Sequence, residues 1–171
     1  MNRRRFLAGL GAVTAAPALA HTPYGQWVVY RQKHLLVGAH RGDARTYALA
    51  KSVVAGLARE LPTAKARVAR GPRPERIASL MGTGQLFLAV LSVDEARRMA
   101  ASQAPFQDYP PTPVRAVADL GGGYMVVAAA AFRTDHAKLV TMALDHEGLA
   151  TQPNLTDMAV HEGAMAHWLG L

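Results

Sequence analysis

The chain has 171 residues, half of them hydrophobic, with 19 Lys and Arg against 12 Asp and Glu for a net charge of +7, and it contains no cysteine. This composition excludes a disulfide framework, a thiolate metal site and a cysteine-linked lipid; three of the arginines lie within the first five residues and no acid before Asp43, so the rest of the chain carries +7 − 3 = +4, too small an excess to point to nucleic acid. Beyond residue 20 no apolar run has the length needed to span a bilayer, so no membrane anchor is expected.

The first twenty residues, MNRRRFLAGLGAVTAAPALA, read as an export signal: a basic start, a mildly apolar middle and a small-residue end at Ala18-Leu19-Ala20. Arg3 and Arg4 before Phe6 and Leu7 match the twin-arginine pattern. The expectation is therefore that residues 1–20 are cleaved after Ala20. Residues 21–171 would then form one soluble α/β domain in the periplasm, a length that builds one sizeable core.

Residues 34–39 are short and apolar and predict a strand that ends in a loop around Gly42. Tyr47, Ala50, Val54, Leu57 and Leu61 then recur at three- and four-residue spacings, which predicts a helix with Asp43 as its N-cap, stopped by Pro62. Residues 66–69 suit a second strand and Arg70-Gly71-Pro72-Arg73 a turn. Pro74-Glu75 opens a helix that turns Ile77, Leu80 and Met81 inward and stops at Gly82-Thr83-Gly84. Residues 85–91 form the most continuous strand signal, unbroken enough to be covered on both faces. Ser92 with Glu95 three residues later makes a capping box for a helix over 93–101, so Ser92 is read as a cap and not a nucleophile.

After a Pro-rich loop over 105–113, residues 114–120 and 124–130 predict two strands joined as a hairpin by Gly121-Gly122-Gly123. Leu139, Val140, Ala143 and Leu144 mark a further helix. Residues 151–156 read as a loop and 158–169 as a terminal helix. Strands alternating with helices predict a three-layer α/β fold, a mainly parallel sheet flanked by helices, with ligands beyond the C-terminal ends of the strands.

Residues 31–76 hold eleven Lys and Arg against Asp43, Glu60 and Glu75, so one part of the surface is expected to be positive. The loop after the first strand sits within it and lacks both the phosphate-loop and the dinucleotide patterns. Arg41 and Arg45 from this loop, with Arg70 and Arg73 from the next one, are the predicted binders of a small anion. The N-terminus of the following helix is expected to assist them.

The segments Leu35-Leu36-Val37-Gly38 with Tyr47, Arg76-Ile77-Ala78-Ser79-Leu80 leading through Gly84-Gln85-Leu86 to Leu88-Ala89-Val90-Leu91, Val114-Arg115-Ala116-Val117, and His161-Glu162-Gly163-Ala164 resemble, in that order, the solute-binding subunits of TAXI-type TRAP transporters. The resemblance implies a type II periplasmic binding protein fold, whose first lobe is built from the start and the extreme end of the chain. Members of that family are about twice as long, so here a single lobe is implied. The family's Gly-rich sequence after the first strand is replaced by Ala39-His40-Arg41-Gly42-Asp43, and its glycine-serine turn by Arg70-Gly71-Pro72-Arg73. His40, Arg41, Arg45, Tyr47, Arg70 and Arg73 are the resulting ligand-binding candidates, for a small carboxylate such as a dicarboxylate. The implied partners are that solute and either a TRAP-type membrane permease or a second copy of the chain.

Other classes find less in the sequence. His40 with Asp43, or Asp145-His146-Glu147, can be drawn as acid–base pairs, but no nucleophile is marked and no enzyme or cofactor is expected. His161 and His167 are six apart, which does not place two ligands on one helical face. Cleavage after Ala20 would leave His21 at a free N-terminus, where amine and imidazole can chelate copper, and this is the alternative of a different class. An accessory role in protein–protein contact is the alternative within the same fold. Trp27 and Trp168 are expected to anchor the two ends of the mature chain.

Overall fold

The run Leu88-Ala89-Val90-Leu91 has no polar side chain to offer water on either face, so it is stable only where both faces are covered. It forms strand β3 (Leu88–Ser92), at the centre of a five-stranded sheet ordered β2-β1-β3-β5-β4. The remaining strands are β1 (Leu36–His40), β2 (Arg67–Gly71), β4 (Val114–Gly121) and β5 (Tyr124–Ala129). This computed structural model describes Tyr30 and residues 33–109, 112–154 and 158–171; the expected export signal, His21 and Trp27 lie outside the described residues.

Side-chain alternation along the central strands divides the core in two. Leu88, Val90, Val126 and Ala128 face one layer, built by helices α1 (Ala44–Glu60) and α4 (Thr134–His146) through Ala50, Val53, Leu57, Val140 and Leu144. Ala89, Leu91, Met125 and Val127 face the other, built by α2 (Pro74–Gly82) and α3 (Val93–Ala100) through Ile77, Ala78, Ala96 and Met99. The three layers are thus an α/β arrangement around an open sheet. Among the described residues no helix is long and apolar enough to cross a membrane.

The sheet is mixed. β1 pairs in parallel with β2 and β3, whereas β5 pairs antiparallel with β3 and β4. The departure from a mainly parallel sheet comes from the hairpin. Gly121, Gly122 and Gly123 all take positive φ, from +61 to +82°, a conformation that side chains with a Cβ resist. They turn β5 back between β3 and β4, and a bulge at Val117 lets Val117 and Ala118 both face the α1 and α4 layer.

Three of the boundaries that differ from the sequence reading do so because backbone groups find partners there. The N–H groups of Gln85 and Leu86 both donate to Leu80 O, closing the end of α2, so β3 starts at Leu88 and not at residue 85. β2 runs to Gly71, two residues into the expected turn, because it pairs with β1 as far as His40. Residues 158–161, expected to be helical, stay out of the helix. Ala116 N donates to Ala159 O at 2.9 Å and His161 N to Ala116 O at 2.8 Å, so this segment covers the free edge of β4 and α5 begins only at Glu162 (Glu162–Trp168).

The closing helix is seated by two residues of the His161-Glu162-Gly163-Ala164 segment. His161 is 2% exposed; its Nδ1 accepts from Gly163 N at 3.2 Å, capping α5, and its Nε2 donates to Phe132 O at 3.0 Å. Both ring nitrogens are therefore used by one neutral tautomer. Gly163 lies against the start of α4, where an added Cβ would fall 2.0 Å from Thr134 O and 2.8 Å from Lys138 N. Trp168, expected as an anchor, donates its Nε1 to Val117 O at 3.3 Å.

Two outcomes follow from this seat. Gly163→Ala must push α5 off the α4 backbone, and a loss of about 1–3 kcal/mol or more in urea unfolding is expected. Burial pushes His161 below its ordinary value of 6.5, and the bond to Phe132 O offsets this only in part. Below pH 6.5 the unfolded chain takes up a proton here before the folded chain does. This contribution to stability is therefore complete above 6.5 and declines as pH falls from there through the folded value. Urea midpoints measured against pH should show that decline in the native chain, and His161→Asn, which can cap without titrating, should remove it.

Candidate functional site at the strand ends

The strand order places a topological switch between β1 and β3, because the chain leaves β1 toward β2 on one side and returns to β3 on the other. At the C-terminal ends of these strands lie His40, which ends β1, and Ser92, which ends β3. Tyr124 joins them from the start of β5, Asp43 from the N-cap of α1 and Glu95 from the first turn of α3. The core excludes polar side chains from strand interiors, so polar chemistry gathers where strands end.

His40 is 2% exposed, and its Nε2 stands 3.1 Å from Glu95 Oε1. That distance is short enough for an ion pair, yet neither ring nitrogen has an aligned hydrogen-bond partner. Glu95 also completes the expected capping box: Ser92 N and Ser92 Oγ each donate to Glu95 Oε2 at 3.0 Å, and Glu95 N donates to Ser92 Oγ at 3.2 Å. One carboxylate thus ties the end of β1 to the end of β3. Burial raises the Glu95 pKa, but the contact from His40 and the Ser92 backbone bond outweigh it, and the group is held below its ordinary value.

A second link crosses the same cleft. Tyr124 Oη donates to Asp43 Oδ2 at 2.6 Å while Arg45 N donates to Asp43 Oδ1 at 2.8 Å. Burial raises Asp43, and these bonds more than reverse it, so Asp43 too is held below its ordinary value. The same bond raises the Tyr124 hydroxyl. The loop between them is pinned by Thr46 Oγ1, which donates to Asp43 O at 2.8 Å, and by Arg41 N, which donates to Gly71 O at 3.0 Å.

The predicted site residues fall into distinct groups around this cleft. His40 is inside, facing Glu95. Asp43 fills the start of α1, so the helix terminus expected to receive an anion is occupied by a residue of the chain itself. Arg45 lies over the Tyr124 ring, its guanidinium carbon 4.9 Å from the centroid, and Arg70 lies over Tyr47 at 4.2 Å. Positions 45 and 47 project from nearly opposite sides of α1, so the helix separates these arginines, one toward the hairpin and one toward β2. Arg41 and Arg73 are exposed on the two loops. Among the described residues no carboxylate pairs with Arg41, Arg45, Arg70 or Arg73.

Sequence reading did not find Glu95 as the partner of His40 or Tyr124 as the partner of Asp43. The capping box gave Glu95 a complete local role, and Tyr124 is 81 positions from Asp43 with no motif joining them. Among the described residues no three His, Cys, Asp or Glu side chains gather as a metal site would require. His146 pairs with Glu60 and His167 with Asp145.

No protein-family model matches the chain, and no curated protein matches it. The fold and the switch point define a class: an open-sheet α/β domain with a hydrogen-bonded, acidic switch point rimmed by arginines.

Removing the shared carboxylate tests how the cleft is held. Glu95→Ala should cost about 1–3 kcal/mol in urea unfolding, because it leaves buried His40 without its facing charge and opens the Ser92 cap. Glu95→Gln, which can still accept from Ser92, should cost less. A Glu95→Gln variant as stable as the native chain would show that the charge facing His40 contributes nothing, and equal losses from both variants would show that the Ser92 cap contributes nothing.

Proposed function

We propose that this protein is a non-catalytic, exported solute-binding lobe, related to the TAXI-type TRAP solute-binding subunits, that takes a small carboxylate at the rim of the switch-point cleft. The observation that carries this reading is the state of its arginines. A guanidinium laid on a ring uses its face and leaves its in-plane N–H donors directed outward, the edge that forks onto a carboxylate. Arg45, its guanidinium carbon 4.9 Å from the Tyr124 ring, Arg70, 4.2 Å from that of Tyr47, and Arg41 on the loop between β1 and α1 have no carboxylate partner among the described residues, so a solute carboxylate can supply one.

Two features support the lobe reading. The sheet is covered on both faces and its outer strand is sealed by the returning chain. The final helix also packs back onto the domain, as the resemblance implies for a first lobe built from the start and extreme end of a chain. Among the described residues no strand pairs with the outer edge of β2, which leaves room for a second copy. Export through the twin-arginine signal at Arg3 and Arg4, cleavage after Ala20 and a periplasmic location belong to the same proposal.

The interior of the cleft is unfavourable to an anion, since Asp43 and Glu95 are both ionised there. The solute is therefore bound at the rim, half in water, and a dicarboxylate matches two separated guanidinium groups better than a monocarboxylate does. Affinity in the micromolar to millimolar range follows, about −8 to −4 kcal/mol, weakening with salt. Titration with succinate, followed by amide and arginine side-chain shifts in NMR, checks this. Saturable shifts at residues 40–47 and 69–73 are expected, with acetate weaker and Arg45→Ala/Arg70→Ala unresponsive. Unchanged binding in the double variant would reject the arginine rim.

A further inference from the structure

The opposite end of the sheet carries a different chemistry. Where β1, β2 and β3 begin and β5 ends, a cavity of about 490 Å3 opens, reached by Leu35 before β1, Ala64 before β2, Phe87 before β3 and Phe132 after β5. Its volume lies within the range of small-molecule sites, roughly 300–1,000 Å3. Its wall is apolar: Phe87 stacks on Phe132 with ring centroids 5.9 Å apart, and Leu139 stands beside them. Phe87 is 40% and Leu139 45% exposed, and large apolar side chains left facing water in one concavity are the signature of a site for an apolar group.

The ionisable side chains described in the lining of this cavity are all basic residues. Lys33, His34, Arg133 and His136 line it together with the hydroxyl of Thr63, and no Asp or Glu is among the described lining residues. Arg133 is matched by Asp135, donating from Nη2 at 2.6 Å and from Nε at 3.0 Å, an arrangement that holds Asp135 at about 2. Lys33 has no acidic partner among the described residues and is the standing positive charge of the rim. An apolar wall with an unmatched cation at its mouth is complementary to a molecule with an apolar body and an anionic head.

We propose that this cavity binds a carboxylate with an apolar body, of the medium-chain fatty acid class, with the chain against Phe87, Phe132 and Leu139 and the carboxylate toward Lys33. This site shares no residue with the arginine rim. The rim selects by charge in water, and the cavity selects by apolar area first.

Octanoate is the probe, with octan-1-ol as its uncharged counterpart, titrated into the full chain and followed by NMR of labelled Phe and Leu side chains. Saturable shifts at Phe87, Phe132 and Leu139 are expected with octanoate. Octan-1-ol should bind about tenfold more weakly, Lys33→Gln should weaken octanoate several-fold, and Phe87→Ser about tenfold. Phe87 and Leu139 are exposed enough for Phe87→Ser and Leu139→Ser to leave the fold intact, and the native circular dichroism of each variant checks that. The Arg45→Ala/Arg70→Ala variant should bind octanoate as the native chain does, which separates failure of this site from failure of the rim. Octan-1-ol binding as tightly as octanoate would overturn the carboxylate assignment. Absence of saturable shifts, or shifts confined to residues 40–47 and 69–73, would overturn the site.

Discussion

Everything in this structure depends on the burial of β3 and β5 on both faces. Leu88, Val90, Val126 and Ala128 are fully covered on one side, and Ala89, Leu91, Met125 and Val127 are covered to within 1% on the other. Each large side chain so buried contributes about 1.5–3 kcal/mol relative to exposure, and a polar group in its place without a partner costs a comparable amount. The two strands therefore accept only apolar residues along their interiors. Helices must cover both faces, and titratable groups are pushed to the strand ends, where His40, Ser92 and Tyr124 stand.

The same constraint explains how the domain closes. A central strand has two neighbours, but β4 at the outside has one, and its unpaired N–H and C=O groups would otherwise offer an edge to other chains. The segment before α5 gives up helical structure to cover it at Ala116, and Thr151 exchanges both backbone bonds with Asp119 at 2.9 Å. His161 joins this cover to the cap of α5, and Gly163 lets that helix approach α4 closely enough to stay. At the other side of the sheet no strand among the described residues pairs with the outer edge of β2, and Arg67 and Arg70 leave that strand charged, which discourages indiscriminate pairing.

The two ends of the sheet differ in how charge is arranged. At the C-terminal ends of β1 and β3, Asp43 and Glu95 are inside and paired while arginines lie outside against aromatic rings, so the two acids are satisfied and the outer rim is positive. At the N-terminal ends, the only carboxylate bonded to the lining bases among the described residues is Asp135, and the wall between them is apolar. Opposite chemistries at opposite ends are a natural consequence of a sheet whose interior has no room for either.

The sequence by itself determined the local features: β3 as a doubly covered strand, the Ser92 and Glu95 box, the Asp43 cap, the glycine hairpin and the helix of Leu57. Each is set by residues within a few positions of one another, through hydrophobic period, backbone freedom or a short side-chain bond. Only the tertiary structure decided that β5 enters between β3 and β4, that residues 158–161 pair with an edge and do not join the helix, and that α1 separates Arg45 from Arg70. It also decided that Glu95 faces His40, that Tyr124 reaches Asp43, and that Phe87 and Leu139 share a cavity. Those outcomes join residues tens of positions apart, and no pattern along the chain encodes them. They depend on which layers pack together and on where buried backbone and charged groups find partners once packing has removed the water.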